Sequence, residues 1–193
     1  MFVNEAAFRD PNAKQQAMGV DTRKAALVDI NGKAIIHPQT GGMIAPVRHE
    51  LLSKTILFRF ANGNTSLERA VIGGWWLGSR EFDRICNFAR YHDIHPAMAV
   101  RVLCCVPPEW SDMGLLVRTR VDRSLLAYRG LGNHVSIKHR DGGRVQMKAY
   151  NNVAERRLHQ LFIPGLVDYA DALKLERVWR ITEEQANRGW IYL

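Results

Sequence analysis

No contiguous catalytic signature runs through this chain: there is no GxSxG, no HExxH, no Walker A sequence and no GxGxxG after a strand. Its chemistry has to come from single residues set far apart. Arg59 stands in residues 54–61, KTILFRFA, among Ile56, Leu57, Phe58 and Phe60. A planar, permanently charged guanidinium there is suited to hold an anion, although a charge in such a strand is also what an edge or surface position looks like. Residues 73–79, GGWWLGS, set Trp75 and Trp76 behind two glycines and ahead of Ser79. Either one indole packs in the core and the other covers a groove, or the pair walls a planar ring while Gly73 and Gly74 let a ligand come close. Tyr128 and Gln160 close two later apolar runs, and Glu155 is the nearest carboxylate to Gln160. His92 and His95 flank Asp93, but a metal site needs one or two more ligands and the spacing offers none, so no metal is expected. Cys104 lies in an apolar run, which suits an inert thiol better than a nucleophile.

Elements must bring these residues together. Residues 4–18 suit a short amphipathic helix with Ala7, Phe8 and Met18 on its apolar side. Residues 24–37 read as two strands around Asn31-Gly32, and His37-Pro38 and Gly41-Gly42 then break the chain. Residues 54–61 read as a strand and 62–66 as a turn. Ser79 suits an N-cap, with Glu81 and Asp83 placed to meet the helix dipole and Phe82, Ile85, Cys86 and Ala89 at helical spacing. Residues 97–106 fit strand or helix and stop at Pro107-Pro108. Strands follow at 115–121 and 125–130. A hairpin over 134–150 turns at Asp141-Gly142-Gly143, and a strand at 158–163 ends at Pro164-Gly165. A short helix near 167–175, a strand at 178–181 and a last turn capped by Thr182 with Gln185 complete the chain. The expected fold is α+β, mainly antiparallel, with a split, twisted sheet and a few short helices. An N-terminal extension or arm over residues 1–50 precedes an α+β domain over 51–193.

The 193 residues suffice for a real core, and 47% hydrophobic with 24% charged residues is a globular composition. No apolar run reaches the roughly 18–20 residues that cross a bilayer, so no membrane partner is expected. The first residues, MFVNEAAFRDPNAKQQ, are polar and carry acids, unlike a secretory signal, so the expected location is cytoplasmic; non-classical secretion would leave no trace in the sequence. Three cysteines, two of them adjacent, give neither a disulfide framework nor a CxxC pair. A net charge of +8, from 27 Lys and Arg against 19 Asp and Glu, favours anionic partners without any run of five basic residues.

Taken together, ILFRFA, GGWWLGS and RLHQLFIPG resemble the ADP-ribosyltransferase superfamily, including its toxin-like and RES-type members, over roughly residues 55–166. The resemblance implies NAD as substrate. Arg59 would hold its phosphates or ribose, Gly74, Trp75, Trp76, Ser79 and Tyr128 would lie around the cofactor, and Gln160 would stand at or near the position of the late-strand acid. The family's late ExE or QxE is absent. His159-Gln160 stand in its place with Glu155 nearby, while Glu183 and Glu184 lie too far on for a good match. The catalytic set implied is Arg59, Gln160 and Glu155, with a protein or nucleic acid as acceptor.

Two other readings fit the same residues. One is a nucleic-acid-binding protein or cofactor-independent ribonuclease, with His134, His139 or His159 as general base and pairs such as His139-Arg140 on the binding face. The other is a non-catalytic interaction protein, a homo-oligomer joined through its N-terminal arm. The first reading requires Arg59, Trp75 and Gln160 to line one cleft. The second requires histidines and arginines on one face, and the third has no deep polar pocket.

Overall fold

The computed structural model describes residues 1–20, 40–138 and 143–187. The strands expected over 24–37, the Asp141-Gly142 part of the hairpin turn and the pair His139-Arg140 lie outside the described residues.

The N-terminal segment forms two short helices, α1 (Glu5–Arg9) and α2 (Pro11–Ala17), instead of one. Pro11 forces the break, and Asp10 uses it, its Oδ1 accepting from the Asn12 N–H at 2.7 Å to cap α2. Asn4 is wholly buried; its side chain donates to the Leu126 and Pro164 carbonyls and accepts from the Leu126 N–H. Next come β1 (Met43–Leu51), β2 (Ile56–Ala61), α3 (Leu67–Val71), β3 (Trp75–Gly78), α4 (Ser79–Tyr91) and α5 (Pro96–Cys104). The ambiguous run is therefore a helix. His95 caps α5, its Nδ1 accepting from the Ala97 N–H at 3.1 Å, and Pro96 supplies the N1 position. Cys105 ends α5 in the left-handed region, at φ 53°, two residues ahead of the prolines. The N-cap of α4 is Gly78, and Ser79 is its first helical residue.

The second half is sheet: β4 (Leu115–Val121), β5 (Leu125–Gly132), β6 (Val135–Lys138), β7 (Arg144–Met147), β8 (His159–Phe162) and β9 (Leu173–Arg180), closed by α6 (Glu183–Asn187). Short 3-10 turns at Ala154–Arg156 and Leu166–Ala172 flank β8. β4 shows why the strands form. Leu115, Val117, Thr119 and Val121 are buried, while the intervening Leu116, Arg118 and Arg120 are half-exposed. The terminal capping box is present: the Thr182 N–H donates to Gln185 Oε1 at 3.0 Å and the Gln185 N–H to Thr182 Oγ1 at 3.2 Å.

Seven strands form one antiparallel sheet in the order β1-β5-β8-β3-β2-β4-β9, and β6 and β7 make a separate ribbon, so the fold is α+β. Strand β1 pairs along β5 from Met43 to Leu51, so the sheet includes a strand from within residues 1–50. Strand β3 is the pivot. Trp75 and Trp76 pair with Phe162 and Leu161 of β8, whereas Leu77 and Gly78 pair with Phe58 and Leu57 of β2. A four-residue strand that changes partner halfway leaves two diagonal gaps, one between β2 and β3 at the Trp75 end and one between β3 and β8 at the Gly78 end. Each gap opens into a cavity. One core cluster packs Leu57, Trp76, Val121, Leu125 and Leu161, and another packs Leu77, Ile85, Ala89, Val100 and Leu158 beneath α4 and α5.

Candidate functional site

The larger cavity, about 810 Å³, lies at the Trp75 end of β3, and Arg59, Gly74, Trp75, Trp76 and Gln160 all line it. This volume is within the range of small-molecule sites, roughly 300–1,000 Å³. Arg59 reaches it from the middle of β2. Its Nη1 donates to the Trp75 carbonyl at 3.3 Å, filling the gap where β2 and β3 no longer pair, and its guanidinium carbon lies 5.9 Å from the Trp76 ring centroid. Burial pushes the Arg59 pKa down to about 10, and its Nε is buried without a hydrogen-bond partner among the described residues. A largely desolvated cation with unused donors is costly by itself and is relieved by an acceptor of opposite charge.

The glycines serve a different purpose from the one expected. A Cβ on Gly73 would overlap the Arg59 guanidinium, and a Cβ on Gly74 would stand 2.7 Å from the Phe162 ring. They admit a side chain of this chain on each side, although Gly74 still borders the cavity. The two indoles divide their roles. Trp76 is sealed in the core, its Nε1 donating to the Gly73 carbonyl at 2.6 Å. Trp75 is half-buried, packs 5.1 Å from the Phe162 ring and walls the cavity. Gln160 Nε2 donates to the Cys104 carbonyl at 3.3 Å, in space that exists because Gly132 has no side chain. With the nitrogen so anchored, the acceptor oxygen is the part of the amide left for a ligand.

Three residues expected at the cofactor or in catalysis stand elsewhere. Ser79 borders the smaller cavity, because helix α4 begins there and carries it past the Gly78 end of β3. Tyr128 faces α1: its ring stacks on Phe8 at 4.4 Å and its hydroxyl donates to the Phe8 carbonyl at 3.2 Å. Glu155 is exposed on the 3-10 turn before β8 and borders neither cavity. No Asp or Glu is among the described residues that line the larger cavity. Cys104 and Cys105 also border it, their thiols pushed up by burial to about 12 and about 11, which keeps both protonated. Among the described residues no group of three His, Cys, Asp or Glu side chains is placed to hold a metal ion. No helix among them is long and apolar enough to cross a membrane.

No family model and no curated protein matches the chain. Among solved structures it is similar to Rhs1-CT in complex with cognate immunity protein RhsI1, at 13% identity and a TM-score of 0.41, over 78% of this chain and 89% of that one. A likeness of that degree decides neither topology nor chemistry, so the functional reading rests on the residues themselves.

Sequence reasoning missed one wall and one site. Trp110, exposed over 44% of its surface, borders the larger cavity and covers Gly41, whose φ of 67° suits glycine. A Trp placed just after Pro107-Pro108, in a loop, was its only sequence signal. The smaller cavity, about 230 Å³, brings His49, Glu81, Arg129 and His159 together with Thr55 and Ser79. Of these, the sequence singles out His159 as a general-base alternative and, with Gln160, at the place of the late-strand acid, and Glu81 as an acid at a helix start.

Proposed function

We propose that this protein is an NAD-consuming enzyme of the ADP-ribosyltransferase type, acting as a toxin or effector, with its dinucleotide in the larger cavity. The observation that supports this reading most is that Arg59, Trp75 and Gln160, from the three strands β2, β3 and β8, line one cavity. In this reading the under-used guanidinium of Arg59 takes the pyrophosphate, and the Trp75 indole takes the flat nicotinamide ring. The Gln160 carbonyl oxygen faces a ribose hydroxyl or the positive charge that develops on the sugar. When the bond between nicotinamide nitrogen and ribose C1′ breaks, the electron pair leaves with nicotinamide. An acceptor oxygen or nitrogen then bonds to C1′ and gives up its proton.

An amide oxygen stabilises such a cation less than a carboxylate, because it carries only a partial charge. With no carboxylate among the described lining residues to remove the acceptor's proton, slow turnover is expected, with water or an already nucleophilic base as acceptor. A net charge of +8 would concentrate a polyanionic acceptor at the surface, more weakly as salt rises. Incubation with nicotinamide-labelled and adenine-labelled NAD, with and without protein or RNA, tests the reading. Released nicotinamide with label on an acceptor, or as free ADP-ribose, is expected. Intact NAD after prolonged incubation at micromolar enzyme would overturn it.

A further inference from the structure

We propose that the smaller cavity is a second, independent acid–base site, in which His49, Glu81, Arg129 and His159 cleave the phosphodiester bond of an RNA strand. The gap between β3 and β8 at Gly78 creates the space. In the register, His49 faces Ala127, Arg129 faces Leu161 and His159 faces Leu131, so His49, Arg129 and His159 project from the same side of the sheet. Helix α4 swings Glu81, only 7% exposed, back over them. Arg129 Nη2 donates to Glu81 Oε1 at 3.1 Å, and His159 Nδ1 lies 3.9 Å from the same oxygen. Arg80 and Arg84, on the first two turns of α4, lie close enough to act on His159 electrostatically.

This set supplies each part that metal-free RNA cleavage needs. Arg129 has N–H donors beyond the one given to Glu81 and can take the non-bridging phosphate oxygens. Burial, and then the Arg129 charge, hold both imidazoles below the usual range, so His159 is neutral near pH 7 and able to accept a proton, while the charged form of His49 is populated toward the acidic end of the range. The ribose 2′-oxygen attacks phosphorus as His159 takes its proton, and Glu81 steadies the imidazolium that forms. The P–O2′ bond forms, the P–O5′ bond breaks, and the proton on His49 in its charged form goes to the 5′-oxygen. The products are a 2′,3′-cyclic phosphate and a 5′-hydroxyl, with no metal or redox partner in the balance. A site that merely binds phosphate would make no cyclic product, and DNA, lacking the 2′-hydroxyl, would stay intact.

The full-length chain is incubated with a mixed-sequence RNA of about 20 nucleotides and with its DNA counterpart, in EDTA, from about pH 5 to pH 8. Expected are RNA fragments ending in 2′,3′-cyclic phosphate, uncut DNA, and rates lowered about 100-fold or more in His159→Ala and Glu81→Gln. His49→Gln, on the edge strand, checks against loss of fold; it is expected to melt like the parent at pH 7.5 and to lose the fall in rate on the alkaline side of the pH–rate profile. The proposal is overturned if the parent protein yields no cyclic phosphate at any pH in that range. It is equally overturned if the folded variants cut as fast as the parent.

Discussion

The guanidinium of Arg59 occupies the space that a side chain on Gly73 would fill. Two residues fourteen apart thus settle together what neither fixes alone. Arg59 stays folded against β3, with its Nη1 on the Trp75 carbonyl, because residue 73 has no Cβ.

A Gly73→Ala substitution should therefore act as a displaced arginine. The clashing atoms are the far end of a flexible side chain, so the fold should survive with a cost of about 1–3 kcal/mol. The guanidinium, however, would leave the Trp75 carbonyl and the cavity wall. Stabilisation by NAD should fall to the level of Arg59→Ala, read by melting temperature with and without the dinucleotide. Unimpaired stabilisation in Gly73→Ala would show that the arginine's position is not what the ligand needs.

Asn4 ties the first helix to the sheet through three buried hydrogen bonds, to the Leu126 carbonyl and N–H and the Pro164 carbonyl. Asn4→Ala should cost about 2–4 kcal/mol, because backbone groups of β5 and the segment after β8 lose their partners in a place water cannot easily reach. For a chain of this size that lowers the melting temperature by roughly 5–15 °C. Calorimetry or circular dichroism would check it, and a shift under about 2 °C would show that the N-terminal segment is not part of the cooperative unit.

Stability should fall on mild acidification. His49 and His159 both have folded pKa values below the usual 6.5, mainly through burial and then through the Arg129 charge. Glu81 pulls both the other way, as does Glu50 for His49, while Arg84 and Arg80 add to the lowering for His159. The unfolded chain then binds protons that the folded chain resists, so the contribution is complete above about pH 6.5 and is lost as pH drops through the folded values. Melting temperature should decline from about pH 7.5 to pH 5, and less steeply in a His49→Gln, His159→Gln double variant. Equal slopes would show that these imidazoles do not carry the linkage.

Much of the fold was legible because its signals are local. The Thr182/Gln185 capping box, the alternation along β4 and the stops at Pro107 and Pro164 need only neighbouring residues to be read. The grouping of Arg59, Trp75 and Gln160 was an expectation only of the family resemblance, since each residue taken singly fits a bland structural role as well. The role of the Gly73-Gly74 pair could not, because it depends on which strands flank β3. Tyr128 looked like a site residue and instead holds Phe8, a partner 120 residues away. His49, Glu81, Arg129 and His159 of the smaller cavity come from β1, α4, β5 and β8, and only the order β1-β5-β8-β3 makes them neighbours. His49 and Glu81 had no sequence pattern to join them.

Thermal denaturation of the parent protein and of Arg59→Ala across a series of NAD concentrations up to several millimolar tests the central claim most directly. The expected result is a saturable rise for the parent. At a hundredfold excess over Kd the rise corresponds to about 2.7 kcal/mol, or roughly 5–10 °C, and it should be absent in Arg59→Ala. A parent melting temperature that stays unchanged at millimolar NAD, or an equal rise in Arg59→Ala, would contradict the assignment of the larger cavity to a dinucleotide.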